Sequence, residues 1–401
     1  MGVDVSKGKS EACILLRKGT PFGQPFRFEH TAGGFADLQM QLQAVEDATR
    51  ERPAIILEAT GHYHGAVVEF LQRQGYPVIV INPLVAKRAR TTQLRKVKTD
   101  AADARLLAEL YFREEFSPLD PRNVQVANLR HLTRQHEAVT TQYVQAKLHF
   151  RAILDQLFPL YEGIFSDIYA ATSLQFLKQY PTPAAVLAAG PETVGAAIHE
   201  HNHQARSAAW AQRKADHLLE VARNSPSLPA LEPSLRVTLT LWIDLLLQYH
   251  AHLQALAAQI ETAAREIPAY RLLLTIPGVG AKLAAAICAE IGDIQQFADA
   301  KKLVAFAGVD PSIFASGKFA ATDNHITKRG SKGLRRALFL AVQCGLRRTS
   351  PNDRIRAFYE KKRHEGKAHK VACIAAVNKL LHIIFAVLRH GEGYRPQPAT
   401  P

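Results

Sequence analysis

Four acidic residues in the first part of the chain have types and spacing that suit metal-dependent phosphate chemistry. Asp4 lies in the short apolar stretch Met-Gly-Val-Asp-Val, and Glu58 closes the apolar run Ala54–Leu57. Asp100 and Asp103 are three residues apart, so a helix that begins there carries both carboxylates on one face. Carboxylates that converge from two strands and a helix suit Mg²⁺, which takes oxygen ligands and acts on phosphates. The pattern predicts phosphodiester chemistry.

Each acid also has a structural explanation when it is taken alone. Glu58 suits the end of a strand, and Asp100 and Asp103 favour the positive end of a helix dipole. The argument for a shared site therefore rests on their order and on their positions in successive elements.

The elements that would position these acids follow from the apolar alternation and the turn residues. Three strands in sequence are followed by alternating helices and strands, which is the order of an RNase H-like fold. In that fold the first and fourth strands are neighbours, which would bring Asp4 beside Glu58. The predicted elements are strands at Val3–Val5, Ala12–Arg17 and Phe26–His30, a helix at Phe35–Ala48, a strand at Ala54–Leu57, a helix at Gly65–Arg73, a strand at Val78–Ile81 and, after a basic connector, a helix at Asp100–Phe112.

Two long amphipathic helices are predicted beyond this α/β region, at Val124–Phe158 and Leu235–Ile267. They would form either a coiled-coil arm or the core of a helical domain, and the pattern allows both. Between them lies a helical region interrupted by prolines. The predicted domains are an α/β RNase H-like domain at 1–118, a helical coiled-coil region at 119–268 and an α-rich carboxy-terminal domain at 269–395.

A helix-hairpin-helix is predicted where Leu274-Thr-Ile-Pro-Gly-Val-Gly280 precedes an apolar helix. Gly278 and Gly280 permit a tight turn whose backbone amides, with the next helix N-terminus, can hold a phosphate. The alternative is a plain Pro-Gly turn between packed helices.

A strongly basic stretch follows this motif and is typical of a surface that contacts a phosphate backbone. Ser316 and Gly317 lie in a predicted loop just before it, and a hydroxyl in such a field could attack phosphorus. Composition alone leaves Ser312 and Ser331 equally eligible. The cations of the stretch are Lys318, Lys328, Arg329, Lys332, Arg335 and Arg336.

The bulk composition agrees with a nucleic-acid partner. The 401 residues carry a net charge of +14, which favours a polyanion. The four cysteines are scattered without a CxxC pair, which indicates a reducing compartment and no zinc site. His199, His201 and His203 lack a completing ligand and are interpreted as a solvated segment. No signal peptide or membrane span is recognised, so a cytoplasmic location is expected.

Two blocks of motifs resemble one family. The first holds Asp-Val-Ser-Lys at 4–7, Leu-Glu-Ala-Thr-Gly at 57–61 and Lys-Thr-Asp-Ala-Ala-Asp-Ala at 98–104. The second holds Ile-Pro-Gly-Val-Gly, Ala-Gly-Val-Asp-Pro, Ala-Ser-Gly-Lys and Ile-Thr-Lys-Arg-Gly-Ser. Together they resemble the DEDD transposases of the IS110 group of bacterial insertion sequences, including its IS1111 branch. The resemblance covers nearly the whole chain and is least clear between about 160 and 235.

The resemblance implies a RuvC-like domain, a coiled-coil middle and a carboxy-terminal transposase domain. Carried over, Asp4, Glu58, Asp100 and Asp103 would be the acids that bind Mg²⁺. Ser316 would attack DNA and form a transient 5′-phosphoserine link. Members of the group are guided by a structured RNA from their own element that pairs with donor and target DNA, and they act as dimers that assemble into tetramers. The one departure is the short segment ahead of Asp4.

Three other functions are compatible with parts of the sequence. The first is a metal-dependent nuclease of the Holliday-junction type, in which Ser316 is idle. The second is a nucleic-acid-binding protein without catalysis, and the third is a tyrosine recombinase that uses Tyr359. A covalent protein–DNA adduct would separate the transposase from the nuclease.

Overall fold

In the computed structural model, the chain divides into two compact units, Met1–Val124 (unit 1) and Gln125–Pro401 (unit 2). At positions 84, 90, 91, 315, 316, 319 and 320 the description is of the backbone alone. The residues described are 1–59, 61–81, 83–91, 99–114, 116, 124–202, 207–226, 231–312, 315–316, 319–320, 325–347 and 352–396.

Unit 1 is a mixed sheet with helices on both faces. Its strands are β1 (Gly2–Ser6), β2 (Lys9–Cys13), β3 (Leu15–Arg17), β4 (Thr20–Pro21), β5 (Phe26–Glu29), β6 (Ile55–Glu58) and β7 (Val78–Ile81). Its helices are α1 (Ala32–Thr49), α2 (His64–Arg73), α3 (Pro83–Thr91) and α4 (Asp100–Leu110).

The main sheet has five strands in the order β5-β2-β1-β6-β7. β1 pairs with β2 in antiparallel fashion over all five of its residues and with β6 in parallel fashion. β2 pairs antiparallel with β5, and β6 pairs parallel with β7. The first and fourth strands of this sheet are therefore neighbours, as the sequence predicts. The order and directions are compatible with an RNase H-like fold.

Two predicted elements differ from the structure. The strand predicted at Ala12–Arg17 is divided, because β2 begins earlier, at Lys9, and β3 leaves the main sheet to pair with β4. The basic connector that was expected before Asp100 contains the helix α3. Its cations, Lys87 and Arg88, made the segment resemble a loop. A proline at the first helical position suits a helix start, and this signal was missed.

The described residues of unit 2 are mainly helical and include one short β-hairpin. The helices are α5 (Val124–Leu157), α6 (Ala171–Gln179), α7 (Pro183–Glu200), α8 (Ala208–Asn224), α9 (Glu232–Arg265), α10 (Pro268–Leu274), α11 (Ala281–Ile291), α12 (Ala300–Ala307), α13 (Lys332–Gly345), α14 (Asp353–His364) and α15 (His369–His390). A 3₁₀ turn spans Ile294–Gln296, and the hairpin strands are β8 (Ala315–Ser316) and β9 (Phe319–Ala320).

The two long helices of unit 2, α5 and α9, have 34 residues each and run antiparallel. Gln125 Nε2 donates to Glu266 Oε2 at one end of the pair, and His149 stacks on Trp242 toward the other. One end contributes to a core built from α10–α15, and the other end to a core built from α6–α8. The long helices thus belong to the packed core at both of their ends.

One described helix, α15, is long and apolar enough to cross a membrane by length and composition. However, 56% of its apolar window is buried inside the protein. Leu381 and Ile384, for example, are fully buried in the core of α10–α15. This burial is what a central core helix requires.

Candidate active site and nucleic-acid interface

Asp4 and Glu58 lie at the same level on neighbouring strands of unit 1. In the register of β1 and β6, Val3 pairs with Leu57, so the next position on each strand carries an acid. Side chains alternate between the faces of a strand, so Asp4 shares a face with Gly2 and Glu58 shares one with Ile56. That common face is the one α4 covers.

The packing of α4 shows which end of the sheet its acids reach. A Cβ added to Gly2 would lie 2.1 Å from the carbonyl oxygen of Ala104, so only glycine permits this approach. Phe112, just beyond the end of α4, lines a cavity with Met1 and Ala54, which precede β1 and β6. The helix therefore runs antiparallel to both strands. Its first turn, with Asp100 and Asp103, points toward the strand ends that carry the other two acids.

The start of α4 is set by Thr99, whose hydroxyl oxygen accepts a hydrogen bond from the Ala102 amide at 3.2 Å. Glu58 is 9% exposed, Asp103 is partly buried and Asp100 is exposed. Carboxylates are the ligands that Mg²⁺ prefers, and the four acids belong to elements that meet at this end of the sheet. Within the described ranges, however, no three His, Cys, Asp or Glu side chains are grouped closely enough to hold a metal ion.

Ser316 lies at the end of a β-ribbon in unit 2. It is the last residue of β8, and it pairs with Phe319, the first residue of β9. Closer to the core, Pro311 pairs with Ile326, and Thr327 Oγ1 donates to Asp310 Oδ1 at 2.7 Å. Ser316 therefore occupies the last position of β8.

The base of this ribbon is closed by two glycines. Gly308 ends α12 with a φ of 65°, and a Cβ on Gly330 would lie 1.9 Å from the carbonyl oxygen of Phe306. Arg335 Nη1 donates to the Ala307 carbonyl oxygen at 2.9 Å and so caps α12 from the side. The two ends of the ribbon are thereby held against each other.

The other two eligible serines have structural partners. Ser312 Oγ donates to the His325 carbonyl oxygen at 2.7 Å. Ser331 caps α13 by accepting from the Leu334 amide at 3.0 Å, and its hydroxyl donates to Glu290 Oε2 at 2.7 Å. Both hydroxyls are thus engaged within the protein.

Glu290 is the centre of a buried ionic network at the base of the ribbon. It is 5% exposed and accepts from Arg134 Nε at 2.7 Å and from Arg134 Nη2 at 3.1 Å. Burial raises the pKa of a carboxyl group, but the hydrogen bonds from Arg134 and Ser331 and the charges of Arg134 and Arg130 outweigh it. The pKa of Glu290 is therefore lowered. The network joins α5, α11 and α13.

The predicted helix-hairpin-helix is present as α10, a turn and α11. Gly280 precedes α11 and is exposed, and a Cβ there would meet no atom within 4 Å. Gly278 has a φ of 89°, and its Cβ would lie 2.6 Å from the Gly345 amide nitrogen. Gly278 therefore serves the packing of the turn on α13, whereas Gly280 leaves the α11 N-terminus open to an anion.

Asn352 secures this turn and was not singled out from the sequence. It is 2% exposed, and its Nδ2 donates to the Pro277 carbonyl oxygen at 3.1 Å. Its Oδ1 also accepts from the Ile355 amide at 3.2 Å, which caps α14. A Ser, Asn or Asp three residues before an apolar helical position is the signal that could have found it.

The predicted phosphate-binding cations take different roles. Lys328, Arg329 and Lys332 are exposed, and none has a carboxylate within 4 Å in the part of the chain that is described. Arg336 pairs with Glu137 at 2.7 Å, and Arg335 is held at the ribbon base. Lys318 lies outside the described residues.

Tyr359 and the histidines near the end of α7 were also singled out in the sequence. Tyr359 lies on the basic helix α14, and its hydroxyl is 2.8 Å from His369 Nδ1. His199 and His201 lie at the end of α7, and His203 is outside the described residues. Among the residues that the structure describes, no three His, Cys, Asp or Glu side chains form a group that could hold a metal ion.

Comparison with known proteins places this architecture in one class. A family model described as a transposase, of the DEDD IS110 type, matches residues 1–159, and one described as transposase IS116/IS110/IS902 family matches residues 270–360. The two matches cover both the acids of unit 1 and the hairpin and ribbon of unit 2. The protein is a DNA transposase.

Three relatives extend this result. The uncharacterized 44.8 kDa protein of insertion element IS116 from Streptomyces clavuligerus is 27% identical over 90% of this chain and 89% of its own length. The pilin gene-inverting protein of Moraxella lacunata is 24% identical over 98% of this chain and 97% of its own. The transposase for insertion sequence element IS1111A from Coxiella burnetii is 33% identical over 37% of this chain and 38% of its own. The chain belongs to the IS110 family of insertion-sequence transposases.

Proposed function

We propose that this transposase is guided by RNA and cuts and rejoins DNA through a 5′-phosphoserine intermediate on Ser316. The observation that supports the proposal is the placement of Asp4 and Glu58 at the same level on the neighbouring strands β1 and β6, with the first turn of α4 at the same end of the sheet. In unit 2, Ser316 ends β8, and exposed cations follow the ribbon in sequence.

The chemistry of the serine step is balanced without an external energy source. The Ser316 oxygen would form a bond to phosphorus as the bond from phosphorus to the 3′ oxygen breaks. The serine hydroxyl gives up one proton, and the departing 3′ oxygen gains one. Because the phosphodiester energy is retained in the serine ester, the reverse attack by a new 3′ hydroxyl rejoins the strand. The engaged hydroxyls of Ser312 and Ser331 support Ser316 as the nucleophile.

Asp4, Glu58, Asp100 and Asp103 are proposed to hold Mg²⁺, as the DEDD family implies. A bound Mg²⁺ would supply positive charge to the phosphate oxygens during attack. The chain itself contributes the donor set, with Glu58 held in a buried strand and Asp103 in a capped helix turn. We expect strand cleavage to require a divalent metal ion held by these four residues.

The partners are proposed to be donor and target DNA, a structured RNA from the same element and further copies of this chain. The net charge of +14 supports polyanionic partners. Base pairing by the RNA would leave the protein to recognise backbone shape, which suits exposed cations without a base-reading helix. A bacterial cytoplasmic location goes with this proposal.

Self-association into a dimer, and then a tetramer, is supported by apolar side chains on the long helices. Val237 and Leu241 of α9 are 64% and 60% exposed, and Leu148 of α5 is 59% exposed. Exposed apolar residues repeated at helical spacing are typical of helix-to-helix association.

The test is a trapping assay with purified protein, Mg²⁺, the element's flanking RNA and labelled DNA. Wild-type protein should give a denaturation-resistant adduct, and Ser316→Ala should abolish it while nucleic-acid binding is kept. Ser312→Ala is the matched control and should still form the adduct. Cleavage without an adduct in any of the proteins would favour a hydrolytic nuclease instead.

A further inference from the structure

A cationic cleft in unit 2 has a lining that includes none of the described ribbon residues and none of the predicted phosphate-binding cations. It has a volume of about 410 Å³ and is formed by α14, α15 and the segment 391–395. We call it the carboxy-terminal cleft. Its floor is apolar and includes Ile383 and Val387. The basic side chains around it are Arg354, Lys379, His382, His390 and Arg395.

The charges of the carboxy-terminal cleft are not balanced from within the protein. Glu392 is the single acid in the lining, and it pairs with Arg395 at 3.2 Å. Across the described ranges of the chain, neither Arg354 nor Lys379 has a carboxylate within 4 Å. Arg354 is exposed and Lys379 is partly buried, and both line the cleft. An anion in the cleft would supply the counter-charge that these two side chains lack among the described carboxylates.

Two walls of the cleft are tied to the turn of the helix-hairpin-helix. Arg354 lies in the first turn of α14, and Asn352 at the start of that helix donates to the Pro277 carbonyl oxygen. On the other side, the Tyr394 amide donates to Thr275 Oγ1 at 2.7 Å. Thr275 directly follows α10, so both anchors fall within the turn.

This double attachment makes the cleft and the turn neighbours in a fixed arrangement. The turn ends at Gly280, where the open N-terminus of α11 offers backbone amides to an anion. A polymer with regularly spaced phosphates can occupy both places at once, whereas a single small anion can occupy only one.

We propose that the carboxy-terminal cleft binds a backbone phosphate of the nucleic acid whose neighbouring phosphates lie at the α11 N-terminus. Arg354 and Lys379 are the residues that contact the phosphate. The inference rests on the proposed function only in taking a nucleic acid as the partner, and it holds for DNA or RNA because the phosphodiester chemistry is shared.

The test is the salt dependence of binding by the full chain, compared between wild type and the double variant Arg354→Gln, Lys379→Gln. Each lost phosphate contact should reduce the slope of log K against log salt by about 0.9 for duplex DNA and about 0.7 for a single strand. Because both side chains contact the same phosphate, the double variant should lose one such increment, about 0.9 with duplex DNA or about 0.7 with a single strand. Lys301→Gln, Lys302→Gln removes two exposed charges on α12 and is the matched control, with an unchanged slope expected.

Separate titrations are made with a duplex DNA and with a structured RNA. The polymer whose salt-dependence slope is reduced in the double variant is the one that the cleft binds. Competition by inorganic phosphate measures whether a lone anion suffices. Unchanged slopes with both polymers, or an equal loss in the control pair, would overturn the proposal. Circular dichroism and the unfolding midpoint confirm that the variants are folded. The titration measures binding and needs no DNA cleavage. Failure of the trapping assay would therefore not change the conclusion about the cleft.

Discussion

The ion pair between the buried Glu290 and the largely exposed Arg134 predicts unequal effects for the two single variants. Arg134→Met leaves a carboxylate that is 5% exposed without its main partner. Removing one member of a buried pair costs about 3–5 kcal/mol, and the value here should lie near the lower end. The reason is that Ser331 still donates to Glu290 and Arg130 remains nearby.

Glu290→Gln should cost less, about 1–2 kcal/mol, because the group left behind is Arg134, whose side chain is 62% exposed and reaches water. The double variant should resemble Glu290→Gln alone, since no buried charge remains. The coupling energy of the cycle then equals the cost of Arg134→Met, about 3 kcal/mol.

The assay is urea unfolding of the full chain followed by far-ultraviolet circular dichroism, with midpoints compared at equal slope. Arg265→Met is the control, because its ion pair with Glu261 is exposed and should contribute about 0.5 kcal/mol or less. Additive effects, or a larger loss for Glu290→Gln than for Arg134→Met, would refute the assignment of Glu290 as a buried carboxylate.

Three further predictions follow from the structure. Because the pKa of Glu290 is lowered on folding, the stabilisation it provides should be full at neutral pH and should be lost as the pH falls through the folded-state pKa. An acid-unfolding curve of Glu290→Gln that matches that of the wild type would contradict this. Gly278→Ala should lower the unfolding midpoint sharply because its Cβ meets the backbone of α13, whereas Gly280→Ala should leave it nearly unchanged, and equal midpoints would rule out this packing role. Asp103→Asn should weaken Mg²⁺ dependence and strand cleavage together in the labelled-DNA assay, and normal activity would remove Asp103 from the site.

The sheet of unit 1 was predictable because its information is local. Short apolar runs with turn residues between them identify β6 and β7 closely, and the Thr-Asp sequence marks the start of α4. The direction of α4 was not predictable, since it depends on the close approach of Gly2 to Ala104. That approach is a tertiary contact between residues far apart in sequence.

The site in unit 2 shows a similar division. The Pro-Gly-Val-Gly motif predicts a turn between helices, but it cannot distinguish Gly278, which packs on α13, from Gly280, which stays open. Glu290, in an apolar helix, resembles an ordinary surface acid in the sequence. Its partner Arg134 lies 156 residues earlier, so the buried network exists only in the folded chain.

The closed base of the ribbon has a consequence for how this chain can change over evolutionary time. Because Gly308 and Gly330 bring the two ends of the excursion together, the chain leaves and rejoins the helical core at nearly the same point. An excursion with adjacent ends can be lengthened, shortened or exchanged without stretching the backbone on either side. We therefore expect that the segment between α12 and α13 can be exchanged for that of another protein of the same architecture. The two helices would keep their packing.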